Sequence, residues 1–288
     1  MSKKIGIAVV VGASIMWSLE SIFAKLSYQV VSVGNAFAAR TIFSLVIIGA
    51  YVLLTNHPKR ILVDRKVLPW LVYVSLAATL FADLLYIYAL SRVAVINAVL
   101  IGHMQPVFIV VIGYILHRED RISRNDYIGI AFMIISGLLV TSGNLNNLFR
   151  FKLGSTGDLL VLLATIAWAT TAIIARKYLK AIPPSIIAFY RFFFAGIVFI
   201  GYRLLFYNIK IISIYQILLG LVIGLGTIMY YEGIRKLKAA QVAAIELSTP
   251  FFATVLGFVV LKEMITLQQA FGILLLFAGM YYLATKEI

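Results

Sequence analysis

Continuous apolar runs of about twenty residues recur along this chain and constrain its fold more than any other feature. One such run is long enough to cross the hydrocarbon core of a bilayer as a helix. Backbone polar groups inside hydrocarbon need internal hydrogen bonds, so only helices or closed barrels can cross it. Barrel strands would be shorter and would alternate apolar and polar positions. We therefore predict an all-α integral membrane protein.

Ten segments meet this length criterion. They lie near residues 5–24, 35–55, 68–91, 94–116, 126–143, 157–178, 184–205, 214–235, 239–261 and 266–285. The first has no small-residue cleavage site, so we expect a retained helix and not a removed signal peptide. The longest connection, residues 144–156, is rich in Asn and Gly and separates residues 1–143 from residues 157–288. We expect each part to form a five-helix unit.

The net charge of +14 suggests a nucleic-acid partner at first sight, but the basic residues lie in short clusters between the apolar runs. Clusters in that position set membrane orientation. With the N-terminus inside, roughly twice as many Lys and Arg residues face the cytoplasm as face the other side. We predict a multi-pass protein of the cell inner membrane with both termini cytoplasmic. Its expected partners are lipid and a small-molecule substrate, with no nucleic acid, and its expected state is a monomer.

A tryptophan and an arginine recur at the same spacing in the two halves of the chain. Trp17 precedes Arg40 in the next span by the same interval as Trp168 precedes Arg191. Matched motifs in the same order predict an internal repeat. Five spans per half is an odd number, so the second half would enter the membrane from the opposite face. Inverted repeats of this kind are typical of secondary transporters, whose substrate site lies between the repeats near the midplane.

A proline and a basic–acidic pair also recur at one interval, in the stretches Pro106–Glu119 and Pro250–Glu263. With the doubled tryptophan and arginine, these stretches resemble the EamA family of the drug/metabolite transporter superfamily over essentially the whole chain. The resemblance implies two five-helix repeats around a central cavity and transport, often export, of amino acids or other small metabolites. The residues before the two prolines differ, Gly102–Gln105 against Glu246–Thr249, so the halves would line a shared cavity with different chemistry.

Ionisable groups inside the spans are the first candidates for function, because each costs at least ~2.5–3.5 kcal/mol to insert at the bilayer centre. Their positions along the helices predict two ion-pair clusters that bracket the cavity and act as gates. The outer cluster is Glu20, Arg40 and Asp83, and the inner cluster is Arg191, Glu232 and Glu246. A static role stays open for both arginines, which could lock helices or reach toward headgroups. Glu232 could instead pair with neighbouring basic residues.

Polar and aromatic side chains halfway along their spans predict the cavity lining, because polar stripes on apolar helices face protein or water. The predicted cavity residues are Ser14, Trp17, Ser18, Thr79, Tyr86, His103, Gln105, Trp168, Thr171, Thr227 and Tyr231. His103 could carry a proton or be a satisfied core histidine. The glycines at 220 and 224 fit close helix packing. The tryptophans could also be packing residues.

Pro106 and Pro250 lie inside predicted spans, where a proline frees a backbone carbonyl and kinks the helix. Such a kink could form part of a substrate site or could only shape packing. The chain has no cysteine and no Walker lysine motif, so we expect no metal, no cofactor and no ATP-driven pump. The preferred function is a secondary transporter, and not an enzyme. It would work by alternating access and export small metabolites such as amino acids. A membrane-embedded lipid-modifying enzyme, a channel and a scaffold are the alternatives.

Overall fold

The computed structural model describes residues 2–55, 61–117, 123–150, 154–237, 239–246 and 248–284. These residues form helices joined by short connections. The helices are α1 (Ser2–Ser27), α2 (Val33–Thr55), α3 (Leu68–Leu90), α4 (Val95–Gly102), α5 (Gln105–His117), α6 (Arg124–Ser142), α7 (Leu145–Phe149), α8 (Thr156–Tyr178), α9 (Pro184–Phe206), α10 (Ile214–Ile234), α11 (Ala239–Glu246), α12 (Ser248–Leu261) and α13 (Leu267–Ala284). The predicted motif residues around Glu119 lie outside the described residues.

Among the described residues, eight helices are long and apolar enough to cross a membrane, and α4 with α5 counts as one of them because only a short turn separates the two. The shorter apolar helices Ser248–Leu261 and Leu267–Leu283 supply the ninth and tenth spans. The ninth span also includes α11. The prediction of an all-α membrane fold with ten spans is confirmed, and the observed helices follow the predicted segments closely.

Local signals at the helix ends explain much of this agreement. Ser123, Ser155 and Ser213 precede α6, α8 and α10, and each accepts a hydrogen bond from a backbone N–H of the first turn. In each case an acidic or amide side chain three positions later returns a bond to the serine N–H, which forms a capping box. Pro184 occupies the first position of α9, where its missing N–H removes no helical bond.

The two halves interlock, and the pairings between them repeat with the roles exchanged. The first span, α1, packs on α10 and α12 of the second half, and its counterpart α8 packs on α3, α4 and α5 of the first half. The last spans of the two halves, α6 and α13, pack on each other, as do α2 and α9. This reciprocal packing is what two inverted five-helix repeats around a central cavity produce.

Close approach of α2 and α10 depends on Gly220. A Cβ at this position would lie 2.4 Å from the Cβ of Phe43 and 3.1 Å from the carbonyl oxygen of Arg40. The Ser44 hydroxyl uses the same approach to donate to the Gly220 carbonyl at 3.0 Å. Small residues at such contacts allow dense packing where lipid supplies no hydrophobic drive between helices.

The middle of α3, residues Ser75–Asp83, is wound as a π-helix. This winding is uncommon and is often found at functional sites. It places Thr79 and Asp83 against α9, because the π segment packs on α8 and α9. Asp83 is the residue around which the charged side chains of the cavity gather.

A cavity with one joined charge cluster

A cavity of about 620 Å³ lies between the two repeats. Both halves line it, with Trp17 of α1 and Trp168 of α8 at matched positions. Of the residues predicted to line a cavity, those that do so are Trp17, Tyr86, His103, Gln105, Trp168, Thr171, Thr227 and Tyr231. A volume of this size suits a small organic molecule.

The cavity reaches from the middle of the bundle toward the end where α1 begins and α13 ends. Its lining includes Ala175, near the last turn of α8, and Ile187, in the first turn of α9. Met280, in the last turns of α13, also contributes. Toward the other end of the bundle, the lining stops at the level of Glu20 and Tyr86.

Asp83 joins the charged side chains of both repeats. Its carboxylate lies 3.1 Å from Nη2 of Arg40 and 2.8 Å from Nη2 of Arg191. Arg40 also donates through Nε to Glu20 at 2.7 Å. The indole N–H of Trp168 donates to Asp83 at 2.8 Å. Two carboxylates and two guanidinium groups therefore form one cluster, whose charges cancel.

The hypothesis of two separate clusters is corrected by this geometry. Arg191 joins Asp83, and neither Glu232 nor Glu246 forms an ion pair with it. Depth along the helix axis placed Arg191 near the inner face, but an extended arginine side chain reaches farther than the rise of one turn, about 5.4 Å. The α9–α3 contact brings its guanidinium across the boundary between the repeats.

Burial differs among the members of the cluster. The side chains of Arg40 and Asp83 are 4% and 2% exposed, whereas that of Arg191 is 28% exposed and faces the cavity. Phe192, which has no polar atom, lies with its ring 5.7 Å from the guanidinium carbon of Arg40 and 5.6 Å from that of Arg191. This ring contributes cation–π contact to both arginines. Phe192 was not among the predicted site residues, because an apolar residue in an apolar span carries no distinguishing pattern.

Three predicted lining residues are buried in packing contacts and do not reach the cavity. Ser18 donates to the carbonyl oxygens of Ser14 and Thr249, at 2.8 and 3.0 Å, so its polarity serves the α1–α12 contact. Ser14 is fully buried beside it. Thr79 is also fully buried, and its hydroxyl accepts from Nε of Arg191 at 3.1 Å. The guanidinium of Arg191 lies between Thr79 and the cavity. Thr79 therefore positions Arg191 and does not line the cavity.

The two remaining glutamates have different surroundings. Glu232 lies outside the cavity lining and pairs with Arg235 at 2.8 Å and Lys236 at 3.4 Å, and Tyr51 donates to it at 2.5 Å. These contacts correspond to the alternative in which Glu232 pairs with neighbouring basic residues. Glu246 lines the cavity and forms no ion pair or hydrogen bond with the described residues.

The fourth span is interrupted at His103, between α4 and α5. Pro106 lacks an N–H, so it cannot donate a helical hydrogen bond to the carbonyl oxygen of Gly102 four residues earlier. Its ring also clashes with that carbonyl, which disfavours a continuous helix here. The helix is interrupted at residues 103–104, just before the proline, and His103, Gln105 and Pro106 reach the cavity. Nδ1 of His103 lies 2.7 Å from the Val99 carbonyl oxygen. Because a carbonyl only accepts, Nδ1 is the donor, which leaves Nε2 as an acceptor in the neutral ring.

The ninth span contains the second proline of the repeat. Pro250 lies in the first turn of α12, is buried, and does not line the cavity. Its neighbour Thr249 does line the cavity; it belongs to the stretch before Pro250 but was not among the predicted cavity residues. The different chemistry expected before the two prolines is therefore present at the cavity as His103 and Gln105 on one side and Glu246 and Thr249 on the other.

Two aromatic pairs line opposite sides of the cavity. Trp17 packs on Tyr230 with ring centroids 5.0 Å apart, and Trp168 packs on Tyr86 at 5.4 Å. Each pair joins the first span of one repeat to the third span of the other. Tyr230 was not predicted, because aromatic residues are common throughout the chain.

A separate ion pair holds the end of the bundle opposite to the cavity mouth. Lys25, in the last turn of α1, lies 2.7 Å from Glu263, in the connection between α12 and α13. The second carboxylate oxygen of Glu263 accepts from the backbone N–H of Val95, the first residue of α4, at 2.8 Å. One side chain thus connects three spans at this end.

Comparisons with known proteins agree with this architecture. The model of the EamA-like transporter family matches residues 4–142 and again residues 155–285. An uncharacterised transporter of Methanothermobacter thermautotrophicus is 25% identical over 226 residues, and another of Synechocystis sp. is 25% identical over 209 residues. These alignments cover 74% and 66% of this chain but 63% and 58% of the relatives, so the chain spans about three fifths of the length of the curated relatives it matches.

A solved crystal structure of a protein has a TM-score of 0.66 to this chain, with 98% of this chain and 96% of that one covered. At 15% identity it shows the fold alone. The family match covers nearly the whole chain and falls on both halves. The chain belongs to the EamA-like transporter family and is a multi-pass membrane protein.

Proposed function

We propose that this protein is a secondary carrier that exports small metabolites such as amino acids by alternating access. Residues 1–143 and 157–288 are the two moving units, and residues 144–156 connect them. The observation that carries the proposal is the cavity between the repeats, which extends toward one end of the bundle and is closed toward the other by the Asp83 cluster.

The closed end gives the proposal its mechanism. In the described state Glu263 connects α1, α4 and the α12–α13 connection, and the Asp83 cluster connects both repeats at the floor of the cavity. Opening toward the other face requires these contacts to separate while the cavity mouth closes. Contacts of this kind are bistable, since they are either made or broken, and a carrier needs two such states.

Orientation supports export. The excess of Lys and Arg on the side where α1 begins supports a cytoplasmic location for that end of the bundle. The cavity mouth lies at the end where α1 begins and α13 ends, so the described state would load substrate from the cytoplasm. The charge cluster at its floor and the aromatic pairs on its sides offer polar contact and ring faces to an amphipathic metabolite. The carrier would act as a monomer, because one chain supplies the complete cavity.

Counterflow in proteoliposomes tests this function. Vesicles are loaded with one unlabelled amino acid at a time and diluted into a trace of the labelled form. A carrier transiently concentrates the label, because the exchange of outside for inside substrate is faster than net loss, whereas a channel only equilibrates it. No transient accumulation with any amino acid or small amphipathic metabolite would contradict the proposal.

Two tryptophan variants provide a matched comparison in this assay. Trp168→Phe removes the indole N–H that Asp83 accepts at the cavity wall, while Trp70→Phe changes an indole that stacks on Tyr178 away from the cavity. We expect counterflow to fall in the first variant and to persist in the second. Equal counterflow rates in the two variants would contradict a role for the cavity in transport.

A further inference from the structure

Glu246 differs from the other ionisable carboxylates of the cavity. The charges of Glu20 and Asp83 are balanced by Arg40 and Arg191 within one cluster. Glu246 lines the same cavity, yet no described residue gives it an ion pair or a hydrogen bond. When ionised, it leaves the cavity with one uncompensated negative charge. An unpaired charge in a membrane protein is costly and typically marks a substrate or ion pathway.

The side chains near Glu246 favour a cation as its partner. Tyr230 lines the same cavity as Glu246, and its ring packs on Trp17 at 5.0 Å and on Tyr231 at 5.7 Å between centroids. All three rings line the cavity. Aromatic faces attract ammonium groups through their quadrupoles, and a carboxylate beside them adds a direct counter-charge.

An anionic substrate would find less at the cavity floor. The guanidinium of Arg191 is the charged donor most exposed to the cavity, but Asp83 already accepts from it at 2.8 and 3.1 Å. Its charge is therefore compensated, whereas that of Glu246 is not. The charge balance of the cavity becomes neutral when the occupant carries one positive charge.

We propose that Glu246 binds the protonated amine of the substrate, so that the carrier takes organic ammonium ions. This inference rests on the proposed function, because it assumes that the cavity holds the substrate. It specifies which atom of the protein contacts which group of the substrate. The Trp17, Tyr230 and Tyr231 rings then contact the apolar part of the same molecule.

Ligand binding to the purified protein tests this inference without any flux measurement. Phenethylamine and 3-phenylpropanoate share a ring and a two-carbon chain but carry opposite charges. Binding is followed by quenching of tryptophan fluorescence in a Trp70→Phe background, where both remaining tryptophans, Trp17 and Trp168, line the cavity. We expect saturable quenching by the amine and weaker or no quenching by the anion.

Charge removal at Glu246 should weaken amine binding selectively. Glu246→Gln is expected to lower the affinity for phenethylamine about tenfold or more, as loss of a charge-assisted contact does. Glu232→Gln is the matched control, since Glu232 pairs with Arg235 and does not line the cavity, and it should change the affinity less than about twofold. Glu246→Asp keeps the charge and should retain the preference for the amine.

Several results would overturn the inference: no saturable binding of phenethylamine to the parent protein, tighter binding of 3-phenylpropanoate, or unchanged amine affinity in Glu246→Gln. If that variant does not fold, the preference of the parent protein and of Glu246→Asp for amine over anion still decides the matter. Failure of the proposed function has a different signature. If amine binding depends on Glu246 but no counterflow is found, the proposed transport function is contradicted and the role of Glu246 in amine binding is not. If counterflow occurs and Glu246→Gln does not change it, only the inference about Glu246 is contradicted.

Discussion

Neutralising Asp83 is the perturbation for which the structure gives the clearest magnitude. Asp83→Asn leaves Arg40 with Glu20 but leaves the charge of Arg191 without a carboxylate partner. Removing one partner of a buried pair costs about 3–5 kcal/mol. The Arg191 side chain is 28% exposed to the cavity, so water in the cavity offsets part of this cost. We expect a loss of about 3 kcal/mol in the free energy of unfolding, at the lower end of that range.

A double-mutant cycle isolates the interaction between the two repeats. Arg191→Gln should cost less than Asp83→Asn, because Asp83 keeps Arg40 and the Trp168 N–H. The double variant restores the charge balance of the cluster. It should therefore be more stable than the sum of the single losses predicts, by about 1–2 kcal/mol. Reversible unfolding in mixed detergent micelles measures all four proteins.

The pair Glu232–Arg235 is the control for this cycle. Its side chains are 23% and 66% exposed, and an exposed pair of this kind contributes about 0–1 kcal/mol. We expect a coupling energy for this pair near the lower limit of that range. Additivity of Asp83→Asn and Arg191→Gln within about 0.5 kcal/mol would refute the view that Asp83 couples the repeats.

Other substitutions test packing and the closed end. Gly220→Ala should cost about 1–3 kcal/mol of stability, because its Cβ would overlap Phe43. Gly201→Ala, whose Cβ would have no neighbour within 4 Å, should be neutral or slightly stabilising. Thermal unfolding compares the two variants, and equal stabilities would contradict the role of Gly220 in packing. Glu263→Gln removes the partner of Lys25 and should increase the labelling of a cysteine introduced at Tyr86, where the cavity lining stops, by a reagent added to the outer face, because the closed end loosens. Unchanged labelling of Tyr86→Cys would count against a gating role.

The spans could be predicted because their signal is local. Length, hydropathy and end residues fix each one independently, as for α9, which was predicted at residues 184–205 and is observed at Pro184–Phe206. The repeat of Trp17 and Arg40 at Trp168 and Arg191 then gave the arrangement of the two halves. No distant contact had to be known for either step.

The cavity lining was predictable only in part, because packing between spans decides which side chains point into the cavity. Trp17 and Trp168, which were predicted from their depth along the helix, line the cavity. Ser18 was not, because the carbonyl of Thr249 satisfies its hydroxyl across a helix contact that the sequence does not reveal. The joined charge cluster was missed for a similar reason, since the π segment of α3 and the reach of Arg191 become apparent only in three dimensions.

The inverted arrangement of the two five-helix units is tested most directly by the sidedness of two single cysteines. The chain has no native cysteine, so Lys4→Cys near the start of α1 and Asn146→Cys in α7, both at exposed positions, each supply one reactive thiol. A membrane-impermeant maleimide applied to intact cells should label Asn146→Cys and should label Lys4→Cys only after permeabilisation. Labelling of both thiols from the same side would contradict the inverted repeat and, with it, the alternating-access mechanism.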